Sequence, residues 1–174
     1  MTSHSPALVW FREDLRLADH PALTSAVASG RPVLCVFIFD TQTKGARAPG
    51  GASRWWLHHA LAALDADLRR IGGRLDIFRG PAQAVLENLV AATDAASLAW
   101  TRRYDNAGIE VDTAIKARLG ARIAVESFNG KLLVEPWAMK TKAGGPFRVF
   151  TPFWRALLAA QEISAPLPAP RRIT

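Results

Sequence analysis

The chain has 174 residues, enough for one domain with a sizeable core. Apolar residues make up 49% and charged residues 21%, an ordinary globular balance that argues against disorder. The longest apolar run, Val33 to Phe39, is far shorter than the roughly 20 residues that span a bilayer, so we expect no membrane partner. With 22 Lys and Arg against 15 Asp and Glu, the formal charge of +7 favours polyanionic partners such as nucleic acid or phosphorylated ligands.

The N-terminus and the cysteine content both argue against secretion. The first residues lack the basic segment of a secretory signal and lead into a short apolar run, Ala7 to Phe11. Cys35 is the only cysteine, which excludes an internal disulfide or a multi-cysteine metal site. We therefore expect an intracellular, cytoplasmic protein in which Cys35 is an ordinary core residue.

Apolar runs and helical periodicity predict five strands that alternate with four helices. The predicted strands are 7–11, 33–39, 75–78, 97–101 and 122–126. Leucines at 57, 61, 64 and 68 mark the clearest helix, which Ser53 caps and Gly72-Gly73 ends, while Asp19 and Asp105 or Asn106 cap two others. This order predicts an α/β fold, a five-stranded parallel, Rossmann-like open sheet with helices on both faces.

The pattern changes after Ser127, where no further strand–helix unit can be found. A short helix is predicted over 152–161, and Pro166, Pro168 and Pro170 indicate a linker. We therefore divide the chain into a domain over 1–160 and the start of an interdomain linker over 161–174. Five apolar residues fit no sheet unit, so we expect self-association through 147–158, unless they fold back and are buried: Phe147, Val149, Phe150, Phe153 and Trp154.

A ligand site is expected where the strands end, because loops there lead to helix N-termini that favour negative charge. Arginines are concentrated in these segments, at positions 12, 16, 47, 54, 102 and 103, and predict an anionic ligand. The alternative is that they merely solvate a basic surface. Arg54 shares the leucine stripe, so it is expected to point inward and to have a larger effect on binding than Arg69. If no ligand is present, Asp40 is its expected internal partner.

Several other kinds of site are not supported. No G-x-G-x-x-G follows the first strand, and the glycines of 45–53 lack the lysine of a phosphate-binding P-loop. No cluster has metal-ligand spacing, and no Ser–His or Cys–His pair can be nominated as a nucleophile. The sequence therefore offers no catalytic residue of its own.

Four segments resemble a known family. Val9-Trp-Phe-Arg-Glu-Asp-Leu-Arg-Leu-Ala-Asp-His-Pro-Ala-Leu23 is similar to the start of DNA photolyases and cryptochromes. The chain also resembles this family at residues 51–57, at residues 100–104 and at Phe147-Arg-Val-Phe-Thr-Pro-Phe-Trp154. The resemblance implies an N-terminal domain that binds an antenna chromophore. It also implies a separate helical domain, absent here, that binds FAD and damaged DNA and repairs cyclobutane pyrimidine dimers under blue light.

The resemblance also implies the cofactor and the site. Family antennae are methenyltetrahydrofolate, 8-hydroxydeazaflavin and FMN; Ala107-Gly108 replaces an Asn-Glu pair of one folate-binding branch, which favours the flavin-like mode. The resemblance assigns apolar walls to Trp10, Phe11, Phe39 and Leu57 and polar contacts to Arg12 and Asp40. The basic residues that would bind the anionic tail of the ligand are Arg47, Arg54 and Arg103. The alternative keeps Trp10 and Phe39 as ordinary core residues.

Three functions remain open at this point. The first is the light-harvesting domain of a deoxyribodipyrimidine photolyase, a DNA-repair lyase whose isolated fragment is expected to be inactive. The second is the same domain of a cryptochrome photoreceptor, which repair by the full-length protein would separate from the first. The third is a stand-alone nucleotide-binding module, which would retain a nucleotide without visible absorption.

Overall fold

The computed structural model describes residues 5–43, 45, 48–160 and 164–173. It divides into two compact units: one runs up to Gly130 and includes the stretch from Leu167 onward, and the other is Lys131–Pro166. The division at residue 160 into a domain and the start of a linker stays a prediction. No strand follows residue 128 in the described chain.

The first unit is built on a five-stranded parallel sheet, as predicted. Its strands are β1 (Ala7–Phe11), β2 (Val33–Phe39), β3 (Leu75–Arg79), β4 (Ser97–Thr101) and β5 (Ala124–Phe128). Their order across the sheet is β3-β2-β1-β4-β5. From β1 the chain adds β2 and then β3 on one side, and it then adds β4 and β5 on the other side of β1. The strand order therefore reverses between β1 and β4. A reversal of this kind opens a crevice at the carboxyl ends of the strands.

Four helices cover the two faces of this sheet: α1 (Pro21–Ala28), α2 (Gly51–Arg70), α3 (Ala82–Thr93) and α4 (Asn106–Leu119). Alternate side chains of β1 enter two cores, with Val9 and Phe11 on the α1 and α2 side and Leu8 and Trp10 on the α3 and α4 side. A strand buried on both faces is apolar throughout, which explains the uninterrupted run. Cys35 lies in the first core as predicted, and burial raises the pKa of its thiol to about 12.

Local hydrogen bonds decide where three elements begin. His20, rather than Asp19, caps α1, because its Nδ1 accepts the Leu23 amide at 3.1 Å while Asp19 has a positive φ of 51°. Asp105 caps α4 as predicted. The β5 strand starts two residues later than predicted, because the amide of Ile123 is still bonded to the carbonyl of Leu119 in the turn that closes α4.

The end of the described chain packs against the sheet unit. The amide of Asp19 donates to the carbonyl of Leu167 at 2.7 Å, and the amide of Ile173 donates to the carbonyl of Ile71 at 2.7 Å. Ile173 is only 3% exposed and approaches Gly73 so closely that a Cβ there would lie 3.2 Å from its Cδ1. Residues 167–173 of the predicted linker are therefore fixed to the first unit by a buried anchor.

The described residues of the second unit contain one helix, α5 (Phe150–Ala160), which begins two residues before the predicted start. The predicted end residue, Gln161, lies outside the described residues. Phe147 and Phe153 contact each other, with ring centroids 6.0 Å apart. Val149, Phe150 and Trp154 are exposed to 64%, 71% and 41%, so the alternative in which this apolar group is buried is wrong. Across both units, none of the described helices combines the length and apolarity needed to cross a membrane.

Candidate functional site

A cavity of about 730 Å³ opens at the carboxyl edge of the sheet in the first unit. This volume falls in the range of about 300–1,000 Å³ that is usual for small-molecule sites. Its walls come from the ends of β1 and β2, from α2, and from the start of α4. The lining residues include Trp10, Arg12, Glu13, Asp14, Arg16, Phe39, Asp40, Ser53, Trp56, Leu57, Ala60, Arg103, Gly108 and Val111.

Three of the four predicted apolar walls line this cavity: Trp10, Phe39 and Leu57. Phe11 does not. It is fully buried in the core on the α1 and α2 side, with its ring centroid 4.7 Å from that of His20. Successive side chains of a strand point to opposite faces, and that of Phe11 points into this core rather than toward the cavity.

Arg12 lines the cavity in a fixed position, with only 8% of its side chain exposed. Its Nη1 and Nη2 donate to the two carboxylate oxygens of Asp112 at 2.8 and 3.1 Å, and Nη2 also donates to the carbonyl of Thr101. Asp112 accepts a further hydrogen bond from the Trp100 indole at 2.9 Å. The guanidinium therefore forms a rigid wall whose charge is already neutralised, and it lies 4.4 Å from the ring centroid of Trp10.

Asp112 was not among the residues that the sequence reasoning selected, although a signal was present. It lies three and seven residues before Ile115 and Leu119, which form the buried stripe of α4. A carboxylate on a buried stripe requires a cationic or hydrogen-bonding partner, since an unpaired buried charge is costly. This rule predicts that Asp112 is paired with a cationic side chain such as an arginine.

Asp40 lines the cavity, but its hydrogen bonds are local. It accepts the Thr43 hydroxyl at 2.6 Å and the amides of Gln42, Thr43 and Ala82 at 2.7, 3.0 and 2.9 Å. Burial alone would raise the pKa of Asp40, but these hydrogen bonds outweigh burial and lower it. Asp40 therefore fixes the loop after β2 to the start of α3 and is not the partner of Arg54.

Arg54 does not point inward, which corrects the prediction from the leucine stripe. It is exposed and does not line the cavity. The helix α2 has 20 residues and so is about 30 Å long, whereas the seven residues of β2 span only about 23 Å. The buried positions of α2 begin at Leu61, so its first turn projects beyond the sheet.

We now expect Arg54→Ala and Arg69→Ala to have the same small effect on ligand affinity, because both side chains are exposed. Titration of the two variants with the same chromophore measures this. A loss confined to Arg54→Ala would show that the ligand itself draws this arginine into the site.

The remaining arginines contribute less net charge than the sequence suggested. Arg103 lines the cavity, but it donates to both carboxylate oxygens of Asp105 at 2.7 and 2.8 Å. Arg102 donates to the carbonyl of Ser127 instead, and Arg47 lies outside the described residues. Three arginines and three carboxylates line the described cavity, so the predicted strongly basic rim is not found there: Arg12, Arg16 and Arg103 against Glu13, Asp14 and Asp40.

A buried pair, Asp14 and His20, supports the loop after β1. Both side chains are almost fully buried, and His20 Nε2 lies 2.8 Å from Asp14 Oδ2. The Nδ1 atom of His20 accepts the Leu23 amide, which places the ring proton on Nε2, towards Asp14. Burial alone would raise the pKa of Asp14, but the interaction with His20 and the hydrogen bond from the Arg12 amide hold it well below its ordinary value.

This lowered pKa predicts a pH dependence of stability. A carboxyl with a depressed native pKa stabilises the fold above its unfolded pKa, about 3.9, and loses that contribution as the pH falls further. Asp14→Asn should therefore be clearly less stable than the unchanged chain at neutral pH, and the difference should narrow in acid. Urea unfolding at pH 7 and pH 3 measures it, and an equal difference at both pH values would contradict the assignment.

Two buried N–H groups of cavity-lining residues, the Trp10 indole and Arg12 Nε, have no hydrogen-bond partner in the described part of the chain. The indole N–H of Trp10 is buried and makes no hydrogen bond within the described part of the chain. Trp10 itself is 4% exposed and lines the cavity. The indole nitrogen is closed to solvent, so Trp10 contributes an apolar wall and not a free hydrogen-bond donor. In the same described residues, no group of three His, Cys, Asp or Glu could hold a metal ion.

The fold and the cavity define a doubly wound α/β domain with a small-molecule site at its strand ends. The family model for DNA photolyase matches residues 7–171, and the chain belongs to this family. It is 47% identical to a deoxyribodipyrimidine photo-lyase of Agrobacterium fabrum over 98% of its length, and 40% identical to cryptochrome-1 of Arabidopsis thaliana over 96%. The chain spans only 35% and 25% of these two relatives.

Solved structures agree with the fold. A bacterial class III photolyase from Agrobacterium tumefaciens superposes with a TM-score of 0.90 at 46% identity, covering 98% of this chain and 35% of that one. A cryptochrome from Synechocystis superposes with a TM-score of 0.87 over 97% of this chain and 36% of that one. At 23% identity the second likeness shows the fold alone.

Proposed function

We propose that this chain is the light-harvesting domain of a DNA photolyase and that the cavity holds its antenna chromophore. The observation that carries the proposal is the cavity of about 730 Å³ with apolar walls at Trp10, Phe39 and Leu57. A flat aromatic ring would fill the space between these walls. Methenyltetrahydrofolate, 8-hydroxydeazaflavin and FMN all have such a ring.

The balanced charge of the lining bears on how the ligand is held. Arg12 and Arg103 already have carboxylate partners, so recognition of the ring rests mainly on apolar contact. An anionic tail of the ligand would bind outside this part of the cavity. Arg47, which the resemblance assigns to that tail, remains a candidate outside the described residues.

In this proposal the longer parent protein binds FAD in a further domain and repairs cyclobutane pyrimidine dimers in damaged DNA under blue light. We expect the 174 residues alone to have no photorepair activity, and we assign the protein to the cytoplasm as part of the same proposal. The 47% identity to a photo-lyase supports this reading. Light-dependent repair by the isolated chain with added FAD would contradict the assignment of repair to the further domain.

Absorption spectroscopy tests the proposal. The purified chain is titrated separately with the three chromophores, and binding is followed by changes in the near-ultraviolet and visible bands. We expect one of them to bind with a shifted band. Retention of a nucleotide without visible absorption would favour the stand-alone nucleotide-binding module and contradict the antenna.

A cryptochrome photoreceptor is the second candidate, favoured by the 40% identity to cryptochrome-1 of Arabidopsis thaliana. The two candidates share the antenna domain and differ in what the parent does. Blue-light repair of an oligonucleotide that contains a pyrimidine dimer, assayed with the full-length parent, separates them. Repair supports the photolyase, and its absence with a loaded flavin supports the photoreceptor.

The exposed apolar face of α5 predicts self-association of the isolated chain. Phe150 and Trp154 stack on each other, with ring centroids 6.1 Å apart, and both remain exposed. Exposed apolar patches of this kind promote association in the absence of a partner domain. Sedimentation should show dimers or larger species, and Phe150→Glu should reduce them. A monomer at high concentration before substitution would contradict this expectation.

A further inference from the structure

The arginine on the α4 side of the cavity is held by a carboxylate of the chain itself. Arg103 lines the cavity, and its Nε and Nη2 donate to the two carboxylate oxygens of Asp105 at 2.7 and 2.8 Å. Asp105 also accepts the amide of Gly108 at 3.0 Å, which fixes the carboxylate at the start of α4. Arg103 therefore presents to the cavity a guanidinium whose charge is already compensated.

The compensating carboxylate is ionised at neutral pH. Burial alone would raise the pKa of Asp105, but its hydrogen bonds with Arg103 and Gly108 outweigh burial and lower it. A second carboxylate, that of Glu13, lies 3.7 Å from Arg103 Nε. An anionic group of a ligand that approached Arg103 would thus compete with negative charge that is part of the protein, and like charges at short range repel each other.

Gly108 allows this pair to form. A Cβ atom at position 108 would clash with the Cβ of Arg103 and would lie 2.8 Å from Asp105 Oδ1. Because the Cβ of Arg103 is attached directly to the backbone, rotation of the side chain could not relieve the clash. The glycine therefore lets Arg103 pack across the first turn of α4, and the pair is a fixed part of the cavity wall.

The other two arginines of the described lining are already used by the protein. Both terminal nitrogens of Arg12 donate to Asp112, and only 8% of the Arg12 side chain is exposed. Arg16 donates to the carbonyl of Gly130 at 2.8 Å and lies 3.6 Å from the carboxylate of Asp19. The pair at the start of α4 therefore decides how this end of the described cavity treats an anion.

We propose that Asp105 is a specificity-determining residue, which keeps anionic groups away from the α4 side of the cavity and so favours a flavin-type ring over its phosphate ester. This inference rests on the proposed function, in which the cavity holds a chromophore. Riboflavin and FMN are matched probes, because they share one ring and differ in a terminal phosphate. The ratio of their affinities isolates the response of the site to the anion.

Titration of the 174-residue chain and of Asp105→Asn with riboflavin and with FMN, followed by flavin fluorescence, tests the proposal. Asparagine caps helices as well as aspartate does, so α4 should keep its start. The substitution removes the competing charge and leaves Arg103 available to a phosphate. The affinity for FMN relative to riboflavin should therefore rise about tenfold.

Asp67→Asn is the matched control, since it makes the same change in charge at the exposed pair with Arg70 and should leave the ratio unchanged. Asp105→Ser, a second neutral cap, should reproduce the rise, so the result does not depend on the folding of one variant. Circular dichroism verifies that each variant is folded. An unchanged ratio in folded Asp105→Asn or Asp105→Ser would overturn the proposal.

A double variant tests whether the released arginine is the cause. Asp105→Asn/Arg103→Gln should lose most of the gain in relative FMN affinity, because the cation that would bind the phosphate is then absent. Persistence of the whole gain in this variant would contradict the role assigned to the pair and overturn the proposal.

Failure of this inference is distinguishable from failure of the proposed function. If neither flavin binds the unchanged chain while another of the proposed chromophores does, the antenna proposal stands and the preference for a flavin-type ring is wrong. If none of the chromophores binds, the antenna proposal itself fails.

Discussion

Asp112→Ala is expected to destabilise the protein by about 3–5 kcal/mol, because it leaves the charge of Arg12 buried without its carboxylate. The side chains of Arg12 and Asp112 are each 8% exposed. The same substitution removes the acceptor of the Trp100 indole, which is itself fully buried. One alanine therefore leaves two buried donors without their partner.

Urea unfolding measures this loss, with Asp67→Ala as the matched control. Asp67 pairs with Arg70 in an exposed ion pair, and exposed pairs contribute little to stability. The control should thus unfold almost as the unchanged chain does. If Asp112→Ala were as stable as the control, the pair would not be the anchor of the cavity wall.

The fold could be predicted because its signals are local and repeated. The apolar run of β1 and the leucine spacing of α2 each reflect burial against one or two layers, and the structure confirms the parallel sheet and the helices on both faces. The end of the chain was harder to predict. Proline content indicated a linker, whereas Ile173 is anchored beside Gly73 by contacts about a hundred residues apart in sequence.

The candidate site could be predicted in part. The ends of β1 and β2 were correctly placed at the cavity, because parallel strands align their carboxyl ends at one edge. Arg54 was misplaced, because helical periodicity gives the direction of a side chain but not where the sheet beneath the helix ends. Asp112 was missed, since its role depends on an arginine one hundred residues away in sequence.

Net charge was also a weak guide to the site. The sequence places arginines near the strand ends, but pairing decides how much of their charge a ligand meets. Asp105 and Asp112 neutralise Arg103 and Arg12 at the cavity. The count of basic residues near the strand ends therefore overstates the positive charge that a ligand meets there.

Filling the cavity with a larger side chain tests the antenna site most directly. Ala60 and Ala63 both lie on α2, but Ala60 lines the cavity while Ala63 is exposed. Tryptophan at either position makes the same chemical change to the same helix. Only Ala60→Trp places the indole where the chromophore ring would bind, and Ala60→Leu is a smaller intrusion at the same position.

The measurement is an absorption titration of these variants with the chromophore that the unchanged chain binds, after circular dichroism has shown that each is folded. We predict a loss of affinity of about tenfold or more for Ala60→Trp, a smaller loss for Ala60→Leu and no change for Ala63→Trp, because only side chains in the cavity exclude the ligand. Binding of the chromophore to folded Ala60→Trp with unchanged affinity would contradict the account, since the antenna would then lie elsewhere.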